Sequence, residues 1–153
     1  MPVPIAAFTP KNRVSPVLSP VWYGLTWDES ADTYTRTGYT AAQATGASPG
    51  NAWLPIQALM RRCVINDAGV VQYYLSGTDS TLKADGSAAV LDGTDGQVMG
   101  EIPAFYYRHA YAGTTHTWEI ATAPLAGFTL HPAFLSGSTP FSRIYVGAYE
   151  AVL

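Results

Sequence analysis

The side chains with the most chemical potential lie in the second half of the chain. Asp79, Asp85, Asp92 and Asp95 sit in or beside the polar stretch SGTDSTLKADGSAAVLDGTDG, which invites comparison with a calcium loop. A twelve-residue loop begun at Asp92 would place Thr94 and Gly96 at its next ligand positions and Pro103 where a bidentate glutamate belongs, so the spacing fails. The Asp-Gly pairs at 85, 92 and 95 suit turns instead, because Gly accepts positive φ and Asp bonds the local backbone. His109, His131 and Glu101 have the types needed for proton transfer, and Ser136 or Ser138 for nucleophilic attack. No Gly-x-Ser-x-Gly elbow surrounds either serine. His131, ahead of Pro132, reads as a turn anchor. Cys63 is the single cysteine, which excludes an intrachain disulfide, and no Cys/His spacing resembles a zinc site. The expectation is a protein that is not an enzyme and carries no metal and no cofactor.

Contact is the chemistry that remains. Ten Tyr and four Trp in 153 residues supply large contact areas at low entropic cost, each with a polar tip. Trp27, Trp53, Trp118, Phe105 and Phe128 are assigned to packing. Tyr106 and Arg108 alternate against Phe105 and Tyr107 and are expected on an exposed strand side, as Tyr145 and Tyr149 are against Ile144 and Val146. The net charge of −3 excludes the basic footprint of a nucleic-acid or anionic-lipid binder, so partners should be proteins or glycans.

These residues need elements to hold them. VWYGLTW and YTRTGYT read as strands, ASPGNAW as a loop, and LPIQALMRRC as a helix of about ten residues. Pro55 suits its first position, and Ile56, Leu59, Met60 and Cys63 form its apolar face. NDAG turns into the strand VVQYYL. QVMGEIPAFYYRHAY reads as one central strand with Val98, Ile102, Phe105, Tyr107 and His109 on its buried side and an irregularity near Pro103. AGTT returns it as a hairpin into HTWEIATA, and RIYVGAYEAV supplies a last strand.

Residues 1–21 differ in kind. Pro2, Pro4, Pro10, Pro16 and Pro20 deny this stretch helix and central-strand bonding, leaving an extended arm that spans up to roughly 65 Å. Val3, Ile5, Phe8, Val14, Val17 and Leu18 are apolar anchors that a solvated linker does not need, so the arm is expected to strap onto a neighbouring subunit. No secretion signal or membrane-length apolar run is present there, which implies synthesis in a cytoplasm.

Taken together, WYGLTWDESADTYTRTG, LPIQALMRRCVINDAGVVQYYL, LDGTDGQVMGEIPAFYYRHAY and GFTLHPAFLSGSTPFSRIYVGAYEAV resemble proteins of bacteriophage and prophage structural gene clusters that carry a C-type-lectin-like fold. The resemblance runs from Trp22 to Val152. It implies an α+β domain over residues 22–153, with many short antiparallel strands and one or two short helices, preceded by the arm. It also implies a virion protein of the tail-fibre, tail-tip or receptor-binding type, similar to retroelement-diversified display domains. In such proteins the ligand face lies near the C-terminal end of the fold, which marks Arg143, Tyr145 and Tyr149 as ligand or interface candidates beside Tyr106 and Arg108. The Glu-Pro-Asn, Gln-Pro-Asp and Trp-Asn-Asp motifs of calcium lectins are absent, and so is the cysteine pair of the sulfatase-modifying oxidase that shares the fold. Low charge and many aromatics also suit permanent subunit contacts, so a homotrimer joined to other virion proteins is expected. Two roles follow: binding a host-surface glycan or protein, or decorating a capsid or tail lattice.

Overall fold

Alternating runs such as TYTRTG and RIYVG pair as antiparallel strands. A computed structural model describes residues 20–39 and 54–149. The arm anchors Val3 to Leu18, the loop before α1 and Trp53 lie outside the described residues. In chain order the elements are β1 (Trp22–Asp28), β2 (Thr33–Gly38), helix α1 (Pro55–Leu59), β3 (Arg61–Ile65), β4 (Val71–Tyr74), β5 (Gln97–Pro103), β6 (Tyr106–Ala112) and β7 (Thr115–Ala121). There follow β8 (Thr129–Leu130), a 3-10 turn (Pro132–Phe134), β9 (Leu135–Ser136), β10 (Thr139–Pro140) and β11 (Arg143–Gly147). One sheet has the order β2-β1-β7-β6-β8 and another the order β11-β5-β3-β4, while β9 and β10 pair alone. The described residues are therefore mainly β, with too little helix for the α+β class expected from the sequence.

The helix is half its expected length. It stops at Leu59, because Met60 turns extended and the next five residues enter a sheet between β5 and β4. Cys63 and Val64 are both fully buried although they face opposite sides, as in a strand covered on both faces. Of the expected helical face, Ile56 is buried on the helix and Cys63 on β3, with Leu59 57% and Met60 40% exposed. The spacing of Ile56, Leu59, Met60 and Cys63 fits a helix, but burial of Cys63 and Val64 in the sheet outweighs that preference.

A tertiary contact caps α1 where no local side chain does. Tyr23, buried on β1, accepts a hydrogen bond from the Ile56 N–H at 3.1 Å and donates to Gln57 Oε1 at 2.6 Å. Burial pushes its phenol up to about 12, against the hydrogen bond from Ile56, which lowers it. Tyr23→Phe is expected to cost about 1–2 kcal/mol, because it strands a buried N–H that would otherwise be satisfied. The check is a lowered urea midpoint with an unchanged m value.

The expected central strand through residues 97–111 is in fact two strands in two sheets. β5 ends at Pro103, which has no N–H to continue a ladder, and β6 begins at Tyr106 in the other sheet. Phe105, between them, packs edge-on against Phe134 and beside His131. The expected hairpin forms with Ala112 opposite Thr115 and Gly113 at φ 63° in its two-residue turn. The Asp-Gly pairs turn the chain as anticipated: Asp85 Oδ1 accepts from the Ser87 N–H and hydroxyl, and Asp92 Oδ1 from the Thr94 N–H.

Candidate functional site

Strand register builds a row of rings across the five-stranded sheet. Tyr34 on β2 is opposite Trp27 on β1, Trp27 is opposite His116 on β7, and His116 is opposite Tyr111 on β6. Three steps between strands make this row about 14 Å long. In the adjacent row Trp118 is opposite His109, and both lie on the same face by the two-residue period of a strand. A four-strand array thus gathers six aromatic side chains from two hairpins far apart in the sequence.

Five of the six rings run nearly parallel, while Tyr111 is tilted 38° to His116. Trp27 is inclined 10° to Tyr34, 26° to His116 and 22° to Trp118, with centroids 5.3–6.4 Å apart. His116 and Trp118 differ by only 5° at 5.3 Å, and His109 lies 5.3 Å from Trp118. Such separations are offset contacts, not tight sandwiches, so ring surface is left uncovered. Tyr34 and Tyr111, at the two ends, are 62% and 61% exposed, and Trp118 is 42% exposed. The Trp27 indole N–H donates to Asp32 at 3.2 Å, and Glu29 lies 3.7 Å from His116, so polar groups rim the rings. Trp118, expected to be packing, is instead part of an open surface.

The four-stranded sheet carries a second cluster around Glu101. On β5 this residue is opposite both Arg61 on β3 and Tyr145 on β11. Arg61 Nε donates to one carboxylate oxygen at 3.1 Å. The other oxygen accepts from Arg143 at 2.9 Å, Tyr74 at 2.9 Å and Tyr145 at 3.2 Å. Burial alone would raise the Glu101 carboxyl. Hydrogen bonds from Arg143, Tyr74 and Arg61, with the Arg143 charge, outweigh it and hold the group below its ordinary value. A carboxylate so saturated is poorly suited to accept a substrate proton.

Of the residues expected to form a ligand surface, Arg143 and Tyr145 come together, but around Glu101. Tyr145 is partly buried while Val146 is exposed, the reverse of their expected sides, because the Glu101 cluster covers the Tyr145 face. Arg108 is half-buried, its Nε and Nη2 each 2.6 Å from buried Glu119 and its guanidinium 4.6 Å over Phe128. Tyr106 is also half-buried, so neither residue is as exposed as expected. Tyr149 is well exposed beyond the end of β11.

His131, Glu101 and His109 do not form a proton-transfer group. Glu101 and His109 lie in different sheets, and His131 caps the 3-10 turn by accepting the Ala133 N–H at its Nδ1, the turn-anchor role read from the sequence. Among the described residues no three His, Cys, Asp or Glu side chains gather as a metal would require. Among the same residues no helix is long and apolar enough to cross a membrane. No protein-family model, curated protein or solved structure matches the chain.

Proposed function

We propose that the chain is a bacteriophage virion protein that displays a C-type-lectin-like domain at the particle surface and binds a host-surface glycan, as a tail-fibre or tail-tip component. The observation that carries this reading is the open array of Tyr34, Trp27, His116, Trp118, His109 and Tyr111. Sugar rings present flat C–H surfaces bordered by hydroxyls. An exposed aromatic face with polar groups at its rim matches both features. Support for the lectin-like class comes from the four ordered sequence blocks between Trp22 and Val152 and from the mainly antiparallel sheets they form. Purified chain added to host cells should compete with the intact phage for adsorption, and a competition assay without effect would refute the receptor-binding role.

A second reading, decoration of a capsid or tail lattice by a homotrimer, is favoured by a separate group of exposed apolar residues. Leu135, Phe141, Val146 and Tyr149 are all exposed on or beside β9 to β11, as residues awaiting a subunit interface would be. Both readings use the proline-rich arm as the strap to neighbouring virion proteins. Deleting residues 1–20 should leave a folded, soluble body that no longer enters particles. The measurements are circular dichroism of the purified body and immunoblotting of purified particles; loss of folding would place the arm within the core.

A further inference from the structure

A cleft of about 310 Å³ lies beside the Glu101 cluster, walled by Ala58 and Leu59 of α1, Pro103 of β5, Ser142, and the two arginines that hold Glu101. We propose that this cleft binds an oxyanion substituent, a carboxylate or a phosphate, on a saccharide-sized ligand.

Charge count is the first support. Two guanidinium groups flank one carboxylate, and no other ionisable group lines the cleft, so it keeps one net positive charge in a chain whose net charge is −3. Donor geometry is the second. Arg61 spends its Nε and Arg143 its Nη1 on Glu101, while their side chains remain 50% and 44% exposed. Among the described residues the remaining N–H groups of Arg61 have no hydrogen-bond partner, and Arg143 has only the Tyr145 hydroxyl beside Glu101. The Ser142 hydroxyl likewise has none, and its carbonyl is held by the Ala104 N–H at 2.9 Å.

Preorganisation is the third. The Arg61 guanidinium lies 3.5 Å over the Tyr74 ring, and Arg143 is tied to the carboxylate that Tyr145 also bonds. Arginines fixed in this way lose little freedom when their outer N–H pairs meet a planar or tetrahedral anion. Leu59 and Pro103 add apolar wall against which the carbon frame of a sugar can rest. Glu101 then has two duties: it orders the arginines, and it leaves them one charge in excess.

This inference goes beyond glycan binding at the aromatic face and rests on that reading only for where the ligand comes from. Uronic acids and phosphorylated sugars are two sources of such an oxyanion on a bacterial surface. The test is a two-dimensional NMR titration of the full chain, following the backbone amides of residues 58–61 and 142–143 and the arginine Nε–H signals. Separate arms use glucuronate, inorganic phosphate, glucose, and sodium chloride at matched ionic strength. Saturable shifts confined to those residues are expected with glucuronate, phosphate or both, and the arm that responds identifies the substituent. Glucose and chloride should give none.

Leu59→Glu places a negative charge in the cleft without touching the Glu101 bonds and should weaken anion binding at least tenfold, whereas Leu59→Gln should retain it. Arg143→Gln should also lose binding. If that variant unfolds, the leucine pair still decides the matter. Equal shifts with chloride, no saturation in either anion arm, or unchanged binding by Leu59→Glu would overturn the proposal. Adsorption plays no part in these measurements, so their failure leaves the receptor-binding proposal standing, and failure of the competition assay leaves the cleft standing.

Discussion

Glu101→Ala is expected to lower the stability of the folded chain by about 3 kcal/mol, the lower end for breaking a buried ion pair, because its two arginine partners are half in water. At that size the midpoint of thermal unfolding should fall by about 10 °C. Four donors converge on this carboxylate, two from arginines and two from tyrosines. Glu101→Gln should recover only part of the loss, since its amide brings a donor to a place already filled with donors.

The pH dependence has a definite sign. The folded-state value of Glu101 lies below its ordinary 4.5, so on acidification the unfolded chain takes up its proton first. The stability this group contributes is complete above its unfolded value and is lost as pH falls through the lower folded value. Asp28, Asp79, Asp85 and Asp92, held down by hydrogen bonds from Ser30, Thr81, Ser87 and Thr94, act in the same direction. Denaturant unfolding of wild type and Glu101→Ala from neutral pH to pH 3 should therefore converge toward the acid end. Parallel curves across that range would mean that Glu101 is not held by its partners.

What can be read in advance from the sequence is what local chemistry decides. The Asn66–Gly69 turn, the Asp-Gly turns, the hairpin at Gly113 and the cap at His131 all depend on residues within a few positions of one another. The hairpin even sets Tyr111 opposite His116 and His109 opposite Trp118, so four of the six rings of the aromatic face are present as register. The other two, Trp27 and Tyr34, depend on β1 joining β7, which brings Trp27 beside His116 across 89 positions of sequence. No local signal announces such a pairing. Alternation tells which residues share a side of a strand but not which side is covered. Size alone therefore assigned Trp118 to the core, and Tyr145 and Val146 were placed on the wrong sides. The Glu101 cluster was illegible for the same reason, since Arg61, Tyr74, Arg143 and Tyr145 come from three other strands. Within LPIQALMRRC the helical spacing was real, but it carried no measure of the burial available to Cys63 and Val64 in the sheet.

Trp118→Ala should reduce competition for host adsorption by at least tenfold in the concentration required, equivalent to about 1.4 kcal/mol of lost affinity. Trp118 is the residue to remove because it contacts Trp27, His109 and His116 at once, so its loss opens a gap in the middle of the array. It is also 42% exposed, and the β7 backbone it sits on stays paired to β1 and β6 whatever the side chain. Tyr111→Ala, at the solvent-facing end of the row, should produce a smaller loss with almost no change in folding. Trp118→Phe should keep part of the activity, since a smaller ring still covers the gap. Two controls separate face from fold: Thr35→Ala lies on the opposite side of β2 from Tyr34, and Tyr149→Ala lies in the other exposed group. Neither should alter competition. A folded Trp118→Ala that competes as well as wild type would remove the aromatic face from recognition. If Tyr149→Ala alone lost activity, the exposed group beside β11 would take its place as the binding surface.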